Sequence, residues 1–133
     1  MKIEQIDHIC VAVRDLEQAV RAWERALGIQ VAERYQEEAE KINVARFYFG
    51  NVAFELMEST SPDGEVAKFV ERKGEGLYLL SLRVDDVDKA VAELKAKGVR
   101  LIDQEPRRGG AAVYAFAHPR AFNGVLVEIF RQT

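Results

Sequence analysis

Cysteine is nearly absent: Cys10 stands alone in 133 residues. That excludes a disulfide framework and makes a reducing cytoplasm the expected compartment. A lone cysteine can serve as a nucleophile, but Cys10 lies in an apolar strand-like run and reads as a small core residue. No apolar run approaches the roughly 18–20 residues of a membrane span. The opening MKIEQIDHI also lacks the apolar stretch of a secretory signal. A basic excess is missing too. Nineteen Lys and Arg face 22 Asp and Glu, for a net charge of −3, which argues against a general nucleic-acid binder. Low-complexity tracts are missing as well. With 48% hydrophobic and 31% charged residues, the chain reads as one soluble domain over 1–133, large enough to close a core.

What is present is a repeated pattern. IDHICVAVRDL (6–16) and GLYLLSLRVDD (76–86) run in parallel, and at an offset of 71 Val13, Asp15, Ala19 and Val20 meet Val84, Asp86, Ala90 and Val91. Further on, VAFELME (52–58) resembles VLVEIFR (125–131), which sets Glu55 opposite Glu128. Alternating or continuous apolar runs predict strands near 4–13, 29–36, 42–49, 52–58, 76–84, 99–104, 112–118 and 125–131. Asp15 followed by Gln18 predicts a capped helix start, and Gly28 and Gly98 predict helix stops. Leu16, Val20, Trp23 and Leu27 recur at helical spacing. The fold class expected is therefore α+β: two βαβββ modules in tandem, about 1–60 and 75–133. A turn-rich connector with a short helix fills about 61–74.

Strand side chains alternate between faces. Ile9, Val11 and Val13 suit packing under a helix, which leaves His8, Cys10 and Ala12 on the other face. By the same parity Glu55 and Met57 share a face, as do Leu79, Ser81 and Arg83, and Leu126, Glu128 and Phe130. A carboxylate in the middle of an apolar strand is costly without a cation, a partner or solvent. If the modules are related by a pseudo-twofold, His8, Glu55, Leu79 and Glu128 converge in pairs on one cavity. Two carboxylates and an imidazole suit Mn, Co, Fe, Ni or Zn with open positions. The residues equally allow solvated glutamates on an open face and a hydrogen-bonded His8.

The motifs IDHICVAVRDLEQAV, FELMESTSPDGEVAKFVERKGEGL, GVRLIDQEPR and AFAHPRAFNGVLVEI together resemble the vicinal oxygen chelate superfamily of glyoxalases, bleomycin-resistance proteins and dioxygenases. Within it the chain is most similar to the methylmalonyl-CoA epimerase family, over essentially its whole length. The resemblance implies a cupped, mostly antiparallel sheet with the helices on its outer face, a divalent metal, and a homodimer. It implies His8, Glu55 and Glu128 as metal ligands, with Glu55 and Glu128 as proton carriers. The family's fourth ligand position falls on Leu79, where GLYL stands in place of G-x-H-H, and the loop after EPR is shortened to RRGGAA. Both departures fall at the expected site.

Two readings follow. One is a cytoplasmic isomerase or glyoxalase-like lyase with a depleted, three-ligand metal site, acting on an acyl-CoA or a related dicarbonyl substrate. Lys68, Arg72, Arg107 and Arg108 are then candidates for the CoA phosphates, although each also reads as a solvated surface charge. The other is a metal-free small-molecule binder of the bleomycin-resistance type. Its pocket would be lined by Cys10, Met57, Leu79, Ser81, Leu126 and Phe130, with Arg83 pairing to a glutamate. His118, before Pro119, reads as a turn-stabilising group, and Trp23 and the RFYFG aromatics as core or dimer contacts.

Overall fold

The computed structural model describes residues 1–133, with eight strands and three α-helices in the α+β class. The elements are β1 (Ile3–Ala12), α1 (Leu16–Leu27), β2 (Glu33–Glu37), β3 (Ile42–Phe49), β4 (Val52–Ser59) and α2 (Glu65–Lys73). They continue with β5 (Gly76–Val84), α3 (Val87–Ala96), β6 (Arg107–Gly109), β7 (Ala112–Ala117), a 3₁₀ turn (Pro119–Phe122) and β8 (Leu126–Gln132). The chain forms two compact units, one of Ile9–Tyr78 and one of Met1–His8 with Leu79–Thr133.

In the unit of residues 9–78 the strand order is β2-β3-β4-β1. Helix α1 starts where Asp15 accepts the Gln18 N–H at 3.0 Å, and stops at Gly28, whose φ of 66° is one that L side chains rarely adopt. Glu58 accepts the Leu16 N–H at 2.8 Å, tying the first turn to β4. The apolar stripe of α1 packs on Val13, Ala45, Phe47, Phe54 and Leu56, with Ile9 and Val11 beside them, as strand parity predicts. Trp23 meets Phe54 at 4.6 Å between ring centres and is a core residue. Of the RFYFG aromatics, Phe47 is buried while Tyr48 and Phe49 stay exposed.

In the unit of 1–8 and 79–133 the order is β1-β5-β8-β7-β6. Strands β5 and β8 pair in parallel, with Leu79 beside Leu126, Ser81 beside Glu128 and Arg83 beside Phe130. Val84, Val127 and Ile129 bury themselves against Val87, Ala90, Val91 and Leu94 of α3. The alternate residues of both strands therefore lie on the opposite face. Residues 1–8 are fastened to this unit by the terminal amine on Glu93 at 2.6 Å, the Lys2 N–H on Asp85 and Arg131 on Glu4. Those bonds group the start of β1 with residues far along the chain.

Two of the expected strands differ. Only 33–37 of the 29–36 run is strand; Ile29 and Val31 pack on the core instead, and Glu24 accepts the Val31 N–H. The 99–104 run makes a single bridge, Leu101 with Ala117. Here the Asp103 carboxylate takes the Phe116 N–H at 2.8 Å, and the Val99 N–H closes the end of α3 on Leu94. Backbone bonds still join the segments, from the Ile102 and Asp103 N–H to Phe116 and from the His118 N–H to Arg100, but the Asp103 side chain takes the Phe116 N–H, and a short strand forms further on at 107–109.

Candidate functional site

The face of β5 and β8 turned away from α3 carries Leu79, Ser81, Arg83, Leu126, Glu128 and Phe130. His8 of β1 joins it. Its ring stands edge-on to Phe130 at 5.6 Å, and its Nε2 lies 3.3 Å from Glu128 Oε1. The other ring nitrogen, Nδ1, donates to Asp7 Oδ2 at 2.8 Å. Asp7 Oδ1 in turn accepts from Nε and Nη2 of Arg83 at 3.2 and 3.1 Å. The bond from His8 holds the Asp7 carboxyl below its ordinary range; burial opposes this and the Arg83 bond adds to it. An ionised Asp7 can only accept, so Nδ1 carries a proton, and the Nε2 edge is aimed at Glu128. Arg83 therefore pairs with Asp7, where the sequence suggested a glutamate.

Two buried polar atoms here have no hydrogen-bond partner, Glu128 Oε1 and Ser81 Oγ. They belong to register partners on adjacent strands, so they share the face. Glu128 is only 6% exposed. A buried carboxylate oxygen without a donor is strongly disfavoured and calls for a cation, a proton or a ligand donor. His8 Nε2 and Glu128 Oε1, one nitrogen and one oxygen with the imidazole braced from behind, fit a divalent cation. Leu79, buried beside Leu126, contributes only hydrocarbon.

Glu55 has the opposite surroundings. It is 1% exposed, and its Oε2 accepts from the Tyr35 hydroxyl at 2.6 Å and from Arg46 Nε and Nη2 at 2.7 and 2.6 Å. Oε1 accepts from the Cys10 thiol at 3.4 Å. Burial, then the charge of Glu55, pushes the Tyr35 hydroxyl well above its ordinary range. Burial works against the Arg46 charge, but the bond to Tyr48 and the attraction of Glu55 outweigh it and drive the guanidinium up. Every oxygen of this carboxylate is already bonded.

Cys10 is fully buried and Met57 is buried beside Val44 in the register of β3 and β4. Tyr78 packs edge-on against Phe69 at 5.1 Å. Of the basic residues considered for phosphates, Lys68 pairs with Glu65, Arg107 with Asp103 while lying over Phe116, and Arg108 grips Asp88 with two bonds. Arg72 is exposed. His118 caps the 3₁₀ turn, its Nδ1 accepting the Arg120 N–H at 3.1 Å.

Arg46, Tyr35 and Asp7 are the site residues that sequence reasoning missed. A signal for Arg46 was present. Strands 42–49 and 52–59 leave a Gly50–Asn51 loop, and counting back from Phe49 opposite Val52 puts Arg46 opposite Glu55.

Residues 7–117 match the Glyoxalase/Bleomycin resistance protein/Dioxygenase superfamily. The chain belongs to that superfamily. Among its relatives is the mitochondrial methylmalonyl-CoA epimerase of Homo sapiens, 32% identical over 94% of this chain and 72% of that protein. The ethylmalonyl-CoA/methylmalonyl-CoA epimerase of Cereibacter sphaeroides is 30% identical, covering 96% of this chain and 97% of its own length. A solved structure of a Streptomyces coelicolor methylmalonyl-CoA epimerase variant, in complex with 2-nitronate-propionyl-CoA, superposes with a TM-score of 0.89. It is 30% identical and covers 99% of this chain and 96% of its own. This superfamily member is thus epimerase-like in both sequence and fold.

Proposed function

We propose that this chain is an isomerase that moves the α-proton of an acyl-CoA carrying a second carbonyl or carboxylate, of the methylmalonyl-CoA kind, with His8 and Glu128 at its centre. The observation that carries the reading is the buried, unbonded Glu128 Oε1 beside a His8 braced by Asp7 and Arg83. Likeness to epimerases over nearly the whole chain supplies the reaction class.

Epimerisation removes the proton from the carbon between a thioester and a carboxylate and returns one to the opposite face, with no net change in atoms or electrons. A divalent cation such as Co, Mn, Ni, Fe or Zn, bound at His8 and Glu128, supplies Lewis-acid polarisation of the substrate's oxygens. The rest falls to the chain. Asp7 keeps the imidazole proton on Nδ1 and so directs Nε2 inward. Ser81, whose hydroxyl has no protein acceptor, donates to a ligand oxygen. Leu79, Leu126 and Phe130 keep water from the reacting carbon, which strengthens each polar contact there. Of the two carboxylates expected to carry protons, Glu55 has both oxygens already bonded, and Glu128 Oε1 is the oxygen left for the cation or, without one, for a proton. A cytoplasmic homodimer completes the reading.

A second reading has its own observation. Arg46 satisfies Glu55 and Leu79 supplies no ligand, as suits a metal-free small-molecule binder. Elemental analysis, Co²⁺ and Mn²⁺ titration, and loss of the α-proton signal of methylmalonyl-CoA in D₂O separate the two. Exchange that needs a metal and disappears in Glu128→Ala supports the isomerase. No exchange with any added metal sinks it and moves the search to a ligand screen.

A further inference from the structure

Glu55 occupies a position where the family resemblance implies a metal ligand, yet its surroundings are those of a completed ion pair. Arg46 stands directly across from it in the β3–β4 register. The guanidinium is held on three sides: Nε and Nη2 on Glu55 Oε2, the Tyr35 ring at 5.7 Å from Cζ, and Nη1 on the Tyr48 hydroxyl at 3.4 Å. Its side chain is 26% exposed, whereas that of Glu55 is 2% exposed. Oε2 thus receives three donors and Oε1 a fourth, from Cys10. An added cation could reach Glu55 only at Oε1, where the Cys10 thiol lies 3.4 Å away, because at Oε2 it would have to displace charge-assisted bonds in a poorly solvated place. It would also have to sit beside a guanidinium that is never neutral.

From this we infer that Arg46 is a tethered cation that removes Glu55 from the metal-ligand set, so that any divalent ion this chain binds is held without Glu55. The inference rests on the proposed function in taking His8 and Glu128 as the ion's ligands, and goes further by naming the residue that excludes Glu55. Arg46 does permanently for Glu55 what an exchangeable metal does elsewhere. The pair also lends β3 and β4 a cross-strand clamp.

The test compares the parent with Glu55→Gln, Arg46→Met, the double variant and Glu128→Gln, by Co²⁺ titration and by urea unfolding of the metal-free proteins. Arg46→Lys serves as a milder variant if Arg46→Met does not fold. Glu55→Gln is expected to keep the parent's Co²⁺ affinity within about twofold, while Glu128→Gln loses roughly ten- to a hundredfold or more. Each single change at 46 or 55 lowers the urea midpoint, and the double variant falls no further than the worse single one. A loss of Co²⁺ affinity in Glu55→Gln as large as that in Glu128→Gln would overturn the inference. So would additive midpoint shifts, because the two side chains would then act independently. If no form binds Co²⁺, the metal reading falls while the unfolding cycle still decides whether Arg46 holds Glu55.

Discussion

Glu55 and Glu128 sit in similar sentences of sequence, AFELM and LVEIF, and both are buried in the middle of a strand. One carboxylate is met by an arginine, a tyrosine and a thiol; the other faces an imidazole edge and keeps an oxygen with no hydrogen bond. The difference shows that a buried charge of one type can serve two ends. A fully satisfied carboxylate fixes the packing of its own strands, whereas an unsatisfied one waits for a ligand. Residue type and strand parity do not separate the two cases. The cross-strand neighbour does.

Changes on either side should break that comparison in different currencies. The largest effect is expected on the Glu128 side. Glu128→Gln should cut metal-dependent α-proton exchange by roughly 10²–10⁴-fold and leave the urea midpoint nearly unchanged, as NMR exchange and unfolding would read. Asp7→Asn sharpens the same side: it keeps the shape but loses the charge behind His8, and Co²⁺ affinity should fall by roughly 10–100-fold. On the Glu55 side, Tyr35→Phe removes one hydrogen bond to a buried carboxylate. It should cost about 2 kcal/mol in urea unfolding, with Co²⁺ affinity unmoved.

The smallest effect should come from Tyr78, a tyrosine without a carboxylate bond to lose. Burial pushes its hydroxyl up to about 12. The unfolded chain therefore releases this proton first as pH climbs from about 10. The stabilisation is whole below about pH 10 and is lost as pH rises to 12. Tyr78→Phe should flatten that alkaline slope and leave stability at pH 7 within about 0.5 kcal/mol, as thermal unfolding across pH would measure.

Local signals carried much of the fold into the sequence. Asp15 and Asp86 each accept the N–H three residues on, from Gln18 and Lys89, as their positions ahead of apolar helical runs suggest. Alternation put Ser81 with Arg83 and Glu128 with Phe130 on common faces because pleating leaves no other choice. Partners were harder to read. Arg83 looked available to a glutamate, but Asp7 took it; charge alone cannot choose between two acceptors of one sign. The 99–104 run has strand composition and keeps backbone bonds to 116–118, but Asp103 also takes the Phe116 N–H with its side chain, and apolar pattern is blind to that.

One feature of the His8 face has a practical side. The brace behind the imidazole ends at Arg83, whose side chain is 39% exposed, while Asp7 is 18% and His8 13% exposed. Dissolved ions reach the outer link of that chain and are kept from its inner one. With a screening length of about 8 Å at physiological salt, falling to about 3 Å at 1 M, the Arg83–Asp7 attraction weakens as salt is added. The Asp7–His8 bond, further inside, outlasts it. Ionic strength thus acts as an external dial on how firmly His8 is aimed, one that the desolvated pairing of Glu55 does not feel to the same degree.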